Sequence, residues 1–174
     1  ALKGLEVEVV HGDLLDLASL QRACRDIDIV HHLGAYVSIE EAMHPNLFAI
    51  NVRGTQNLIQ ASLEAGVKRW IHYSSVHALE SLPHGQDVNE QSPLALKGSH
   101  LAYDRSKALA EIAVLEAVDN GLDAVILNPV GVVGPNDFGP SRMGSMLLRL
   151  AHGTLPGIVH GGFYWVDVRD VAQA

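Results

Sequence analysis

The sequence is poor in several things that would each signal a function. It has one cysteine, Cys24, in 174 residues. A lone thiol forms no internal disulfide and no cysteine-based metal site, so a reducing, cytoplasmic setting is the expectation. No apolar run approaches the ~18 residues of a membrane span. No N-terminal leader is evident, because "ALKGLEVEVVHGD" reads as a strand. Cations are few: 12 Lys and Arg stand against 20 Asp and Glu, for a formal charge of −8. With no basic cluster to offset that balance, a nucleic-acid backbone is excluded as the expected partner. Also missing is any G-x-G-x-x-G, the turn that cradles a dinucleotide pyrophosphate.

What is present is an ordered alternation. "LEVEVV" (5–10) predicts a strand and "DLASLQRACRD" (16–26) a short helix with Asp16 as its N-cap. "IDIVHHL" (27–33) is a strand apolar enough to be covered on both faces. Residues 46–66 have helical periodicity and stop at Gly66. "VKRWIHYSS" (67–75) is a strand, residues 81 to about 100 a long loop, 104–120 a helix and "LDAVILN" (122–128) a buried strand. "RMGSMLLRLAHG" (142–153) reads as a further helix, and Asp167 and Asp170 as residues that cap or position a last one. Strand–helix alternation of this kind predicts an α/β fold with a parallel sheet. Ligands in such sheets bind beyond the carboxyl ends of the strands.

Tyr103 and Lys107 share one helix face at i, i+4. An ammonium near a phenol favours the phenolate, and a tuned tyrosine can exchange a proton with an alcohol or carbonyl oxygen. Ser75, ending a strand, could polarise the same oxygen. Ser74 is the weaker candidate, since adjacent strand residues face opposite ways. Ten histidines invite a metal reading. Adjacent His31 and His32 face opposite sides, however, and His72 and His77 lack a third ligand at a recognised spacing, so no metal is expected.

Seven segments in order, "HGDLLD", "VHHLGA", "NVRGTQNLIQAS", "WIHYSSV", "YDRSKALAE", "NPVGVVGP" and "WVDVRDVA", together carry a resemblance. The chain resembles the extended short-chain dehydrogenase/reductase family, also called NAD-dependent epimerase/dehydratase. "NPVGVVGP" and "VDVRDVA" are most similar to its branch of dihydroflavonol reductases and 3β-hydroxysteroid dehydrogenases. The resemblance implies a Rossmann-like doubly wound parallel sheet, truncated at both ends. Residues 1–135 would be a partial dinucleotide-binding domain lacking its first two strands, and 136–174 the beginning of a substrate-binding region. It implies NAD or NADP as cofactor, with no basis for choosing between them. Hydride transfer would interconvert a carbonyl and an alcohol in a small-molecule substrate. Tyr103 would be the acid/base, Lys107 would lower its pKa and hold the nicotinamide ribose, and Ser75 would orient the substrate. Asn51 is similar to the family's buried active-site asparagine, with a purely structural role as the even alternative. Asp13 and Leu14 would meet the adenine. Leu33, Gly34 and Ala35 would line the ribose and pyrophosphate, and Pro129, Val130 and Val132 the nicotinamide. His77 and Arg142 are substrate candidates. A homodimer is an open alternative to a monomer. Without the glycine turn, these residues alone are expected to bind cofactor weakly or not at all. Two other readings stand beside the oxidoreductase: a nucleotide-sugar epimerase or dehydratase, and a non-catalytic cofactor sensor. Val76-His77 stands where sugar dehydratases place an Asp-Glu pair, which weakens dehydration but not epimerisation.

Overall fold

The computed structural model describes residues 4–38, 44–81, 83, 86–97, 101–139, 141–157, 161–162 and 164–174. The chain forms two compact units, one of residues 9–128 and one of 1–8 with 129–174. The first is a helix-backed parallel sheet, the second a smaller α/β assembly, and the fold class is α/β.

In the larger unit, α1 (Leu17–Ala23) starts at Asp16, whose carboxylate accepts from Ser19 N at 3.3 Å. Strands β1 (Ile29–His32), β2 (Arg69–Tyr73) and β3 (Ala124–Leu127) pair in parallel in the order β1-β2-β3. Their register aligns Val30 with Trp70 and Ala124, and His32 with His72 and Ile126. Residues of one strand parity thus share a face. That face carries the core, in which Trp70 packs with Leu20 and Cys24 of α1, Leu58 and Ile59 of α2 (Gly54–Ala65), and Val114 of α3 (Ala102–Asp119). Gly66 ends α2 in the left-handed region, φ 73°, which glycine adopts without a Cβ penalty.

The helix expected over 46–66 is not uniform. Residues Ala49–Arg53 form a π-turn, in which Gly54 N donates to Ala49 O five residues back. The helix expected from Asp104 begins earlier, at Ala102, so Tyr103 lies inside its first turn.

The strand expected at 5–10 is not formed. Its β-branched residues have the propensity, but a strand needs a ladder partner, and none of the described strands pairs with them. Val7, Val9 and Val10 are accordingly more than half exposed. Part of the 81–100 loop lies outside the described residues. Leu94 within it forms an isolated antiparallel bridge with Leu79, just before it.

The smaller unit contains two strands not anticipated, β4 (Gly131–Val133) and β5 (Trp165–Asp167), paired in parallel. Helix α4 (Arg142–Ala151) starts at Ser141, whose hydroxyl accepts from Gly144 N at 2.9 Å. Asp167 caps α5 (Val168–Gln173) by accepting from Arg169 N at 2.8 Å, the role expected of it. A groove of about 700 Å³ runs between β4 and α4, with Val132, Leu147 and Leu148 on its walls. No helix among the described residues is long and apolar enough to cross a membrane.

Candidate functional site

Beyond the carboxyl end of β1 the chain exposes Leu33 and Gly34, with Ala35 half-buried behind them. Asp13 and Leu14, in the turn before α1, come to the same place. Asp13 Oδ1 accepts from Leu15 N at 2.8 Å, and the carboxylate is otherwise open to solvent. The Leu14 carbonyl accepts from Asn57 Nδ2 at 2.8 Å. A Cβ placed on Gly34 would lie 3.3 Å from Leu14 Cδ1, a tight contact to which the leucine side chain would have to give way. The structure therefore brings Asp13, Leu14, Gly34 and Ala35 together on one rim.

Asn51 sits in the π-turn and is 2% exposed. Its Oδ1 accepts from Tyr36 N at 2.7 Å, while Nδ2 donates to Tyr36 O at 3.0 Å and Ser106 Oγ at 2.9 Å. The Ser106 hydroxyl donates onward to Tyr103 O at 2.7 Å. Asn51 thereby ties the Gly34–Tyr36 loop to the first turn of α3. Both amide hydrogens are used by these bonds, and Oδ1 keeps one lone pair.

Tyr103 is buried, and its phenol is engaged by Ser75. Ser75 begins a short turn, 76–78, by accepting from His77 N at 3.2 Å. Ser74, on the opposite strand parity, is buried on the helix side. Ser75 thus meets the Tyr103 phenol, and Lys107 lies buried one turn further along α3. Lys107 Nζ donates to the Tyr73 carbonyl at 3.0 Å, and its Coulombic partner is Glu111. Burial pushes the Tyr103 phenol above its ordinary value, more than Ser75 draws it down, with Asp104 adding to the rise. The phenol therefore does not show the lowering that the spacing suggested. Burial drives Lys107 itself down to about 8, Glu111 opposing.

Sequence reasoning missed further partners of these groups. Glu111 is 5% exposed, accepts from Asn128 Nδ2 at 2.5 Å, and is raised by burial against the pull of Ser74, Asn128 and Lys107. Its spacing was a usable signal: 103, 107 and 111 continue one i, i+4 row. His32 was weighed only as a metal ligand. Thr55 Oγ1 spends its hydrogen on Asn51 O at 2.7 Å, so it accepts from His32 Nε2 at 3.0 Å. His32 is therefore the neutral Nε2–H tautomer, and burial followed by Lys107 holds its pKa down at about 4. His31, on the other face, meets the Tyr73 hydroxyl at 3.1 Å. His77 Nδ1 lies 3.1 Å from Asp104 Oδ1. Pro129, Val130, Val132 and Arg142 belong to the smaller unit, where Val132 pairs with Val166 and Arg142 opens α4.

The model of the family described as NAD dependent epimerase/dehydratase matches residues 2–174. The sterol demethylase protein B of Methylococcus capsulatus is 40% identical over 171 residues, covering 98% of this chain and 52% of that protein. A putative dihydroflavonol 4-reductase of Synechocystis is 33% identical, covering 98% of this chain and 50% of that protein. The chain thus spans about half the length of these curated relatives. Among solved structures, the Thermus thermophilus UDP-glucose 4-epimerase in complex with NAD superposes with a TM-score of 0.81 at 27% identity. That likeness covers 97% of this chain and 59% of the epimerase.

Proposed function

Because the chain belongs to the NAD dependent epimerase/dehydratase family, we propose that it carries the proton-transfer half of a hydride-transfer site. The observation that carries this reading is the convergence of Ser75 on the buried Tyr103 phenol, one helical turn from Lys107. The rim of Asp13, Leu14, Gly34 and Ala35 fits the adenosine end of a dinucleotide: an open carboxylate for an amino group, and a glycine packed close to Leu14. A solved relative holds NAD, which makes NAD the first cofactor to test, with NADP beside it. Pro129, Val130 and Val132 are proposed for the nicotinamide end. No glycine-rich turn occurs in the sequence, so the pyrophosphate has no cradle of that type here.

When bound, the nicotinamide would exchange hydride with the carbon bearing the substrate oxygen. The Tyr103 phenol, held protonated by burial, donates its hydrogen to that oxygen. Ser75 Oγ hydrogen-bonds the same atom and fixes its direction. Lys107 anchors on Tyr73 O and keeps a positive charge under the site on the acid side of about pH 8. As built, the site is set to donate a proton, the direction of carbonyl reduction.

Two net reactions are compatible with this step. The family description and the UDP-glucose 4-epimerase favour a nucleotide-sugar epimerase or dehydratase, and give that reading the broader support. The two curated relatives favour reduction or oxidation of a less polar substrate of the dihydroflavonol or sterol kind, and Val76-His77 in place of an acidic pair weighs against dehydration alone. One experiment separates them. The protein is incubated with NAD or NADP and either UDP-glucose or a 3-hydroxysteroid. Net nicotinamide reduction with the steroid supports an oxidoreductase, whereas a changed sugar without net reduction supports the epimerase. Tyr103→Phe should lower whichever rate is seen by about 10²-fold or more. Cofactor binding with neither reaction, unaffected by Tyr103→Phe, would leave a non-catalytic sensor.

A further inference from the structure

A side chain ties the end of β3 to the end of β2 where the backbone can no longer do so. In the parallel ladder Trp70 N donates to Asp123 O at 2.9 Å, and Ser74 N to Leu127 O at 2.8 Å. The rung that would follow needs an N–H at residue 129, and Pro129 has none. The Asn128 amide takes over. Its Nδ2 donates to the Ser75 carbonyl at 3.1 Å and to Glu111 Oε1 at 2.5 Å, which uses both amide hydrogens. The Ser75 carbonyl also accepts from Ala78 N at 2.9 Å, so both of its lone pairs are engaged. Glu111 is 5% exposed and lies on α3 about two turns past Tyr103, on the same i, i+4 row. One amide therefore joins the Ser75 backbone to the helix that carries Tyr103.

We propose that Asn128 and Glu111 are positioning residues, a strut that sets where the Ser75 hydroxyl stands relative to the Tyr103 phenol. The proposal rests on the reading that Ser75 and Tyr103 share one substrate oxygen, and it adds two residues that act through Ser75. The two hydroxyls come from different elements. Ser75 stands past the end of β2, with extended backbone at φ −165° and ψ 151°. Its Oγ is two bonds from Cα, so the backbone decides where that hydroxyl goes. The Tyr103 ring is placed by the first turn of α3. A strand end and a helix can shift against each other, and a misplacement of about 1 Å at a reacting centre can cost about 10²-fold in rate. The Glu111–Asn128–Ser75 connection opposes that shift: it holds the serine carbonyl to a carboxylate buried on the helix itself.

The alternative is that Asn128 and Glu111 only satisfy each other's buried polar atoms. The two differ in whether Tyr103 senses the change through Ser75. The protein is labelled with ¹³C-tyrosine, and Tyr103→Phe identifies the Tyr103 Cζ signal among the four tyrosines. That signal moves with the hydrogen bond the phenol makes. Asn128→Leu keeps the volume and removes the amide. It should move the signal in the same direction as Ser75→Ala, and at least half as far. In a Ser75→Ala background it should move the signal no further, because the effect passes through the serine. Glu111→Gln keeps an oxygen for the amide and should stay nearer to wild type than Glu111→Leu. A readout that needs no variant is hydrogen exchange of the wild-type Asn128 side-chain amide, where both protons should be protected. A Tyr103 signal unmoved by Asn128→Leu, an equal movement with and without Ser75, or fast exchange of the wild-type amide would each overturn the proposal. A Glu111→Gln signal no nearer wild type than that of Glu111→Leu would overturn the role given to Glu111. Hydride transfer is followed separately by nicotinamide absorbance. Where turnover is seen, Asn128→Leu should lower kcat about 10-fold with KM little changed. No turnover with the tyrosine shifts as expected would sink the redox reading and leave the strut standing. Turnover with a Tyr103 signal indifferent to Asn128 would do the reverse.

Discussion

Replacing Lys107 by methionine should change the pH dependence of stability in a way that no exposed lysine would. Lys107 is 3% exposed, and burial lowers its pKa from 10.5 to about 8. The unfolded chain leaves the same group near 10.5, and the gap corresponds to about 3 kcal/mol. The sign follows from proton counting. Below pH 8 both states are charged, and the folded state bears the whole cost. Between pH 8 and 10.5 the unfolded state binds more protons, so stability rises with pH. Above that window the cost is gone. Lys107→Met removes the cost at every pH but leaves the Tyr73 carbonyl without its ammonium donor, a loss of about 1–2 kcal/mol. At neutral pH the two effects should leave the variant about as stable as the wild type, or slightly more so. The informative quantity is the difference in urea unfolding free energy, wild type minus variant. It should climb by about 3 kcal/mol from the acid to the alkaline end of the window. The raised Tyr103 phenol opposes stability at the alkaline end, but it is present in both proteins and cancels to first order. Trp70, fully buried in the same unit, serves as reporter, and Trp165→Phe silences the other tryptophan. A difference that stays flat across the window would refute the argument that Lys107 is charged and buried at a cost.

Asn51→Ala removes an acceptor from Tyr36 N and donors from Tyr36 O and Ser106, and should cost about 2–4 kcal/mol by the same unfolding assay. Asn51→Asp keeps the acceptor but sets a buried carboxylate against Tyr36 O, and should lose at least as much. Gly54→Ala places a Cβ 2.9 Å from Leu14 Cβ. The helix-propensity gain of about 1 kcal/mol should be outweighed by about 1–3 kcal/mol of overpacking, with NAD affinity falling if Leu14 lines the adenine. The Cys24 thiol is buried and its pKa raised by that burial, so it should resist a thiol reagent in the native state and react only on unfolding.

Local signals in the sequence carried much of this unit. The Asp16 cap and the Gly66 stop sit where side-chain chemistry demands them, and β1, β2 and β3 were visible as short apolar runs. The i, i+4 spacing put Tyr103 and Lys107 on one face, and strand parity chose Ser75 over Ser74. What spacing could not show was where a long side chain ends. The Lys107 ammonium had several reachable acceptors, and the Tyr73 carbonyl beneath it is a backbone atom without a residue-type signature. The strand at 5–10 failed for a related reason: propensity is local, and a ladder is not. The three-residue strands β4 and β5 went unseen because their pairing joins positions more than thirty residues apart. The His77–Asp104 contact likewise spans a long loop.

The π-turn at Ala49–Arg53 has a consequence for how this chain tolerates length changes. It holds one residue more than an α-turn would, so the helix carries a built-in spare. Deleting a residue within 49–53 would convert the turn to α-geometry without rotating Thr55, Leu58 or Ile59 away from their neighbours, since the helix beyond it keeps its own phase. Asn51 would be swung off the Tyr36 backbone. A single-residue gap at this point, in any descendant of the sequence, would therefore be silent in the hydrophobic core and disconnect the Gly34–Tyr36 loop from α3. A deletion one turn later, inside α2, would have the opposite signature, misphasing the core face by about 100° while sparing the amide.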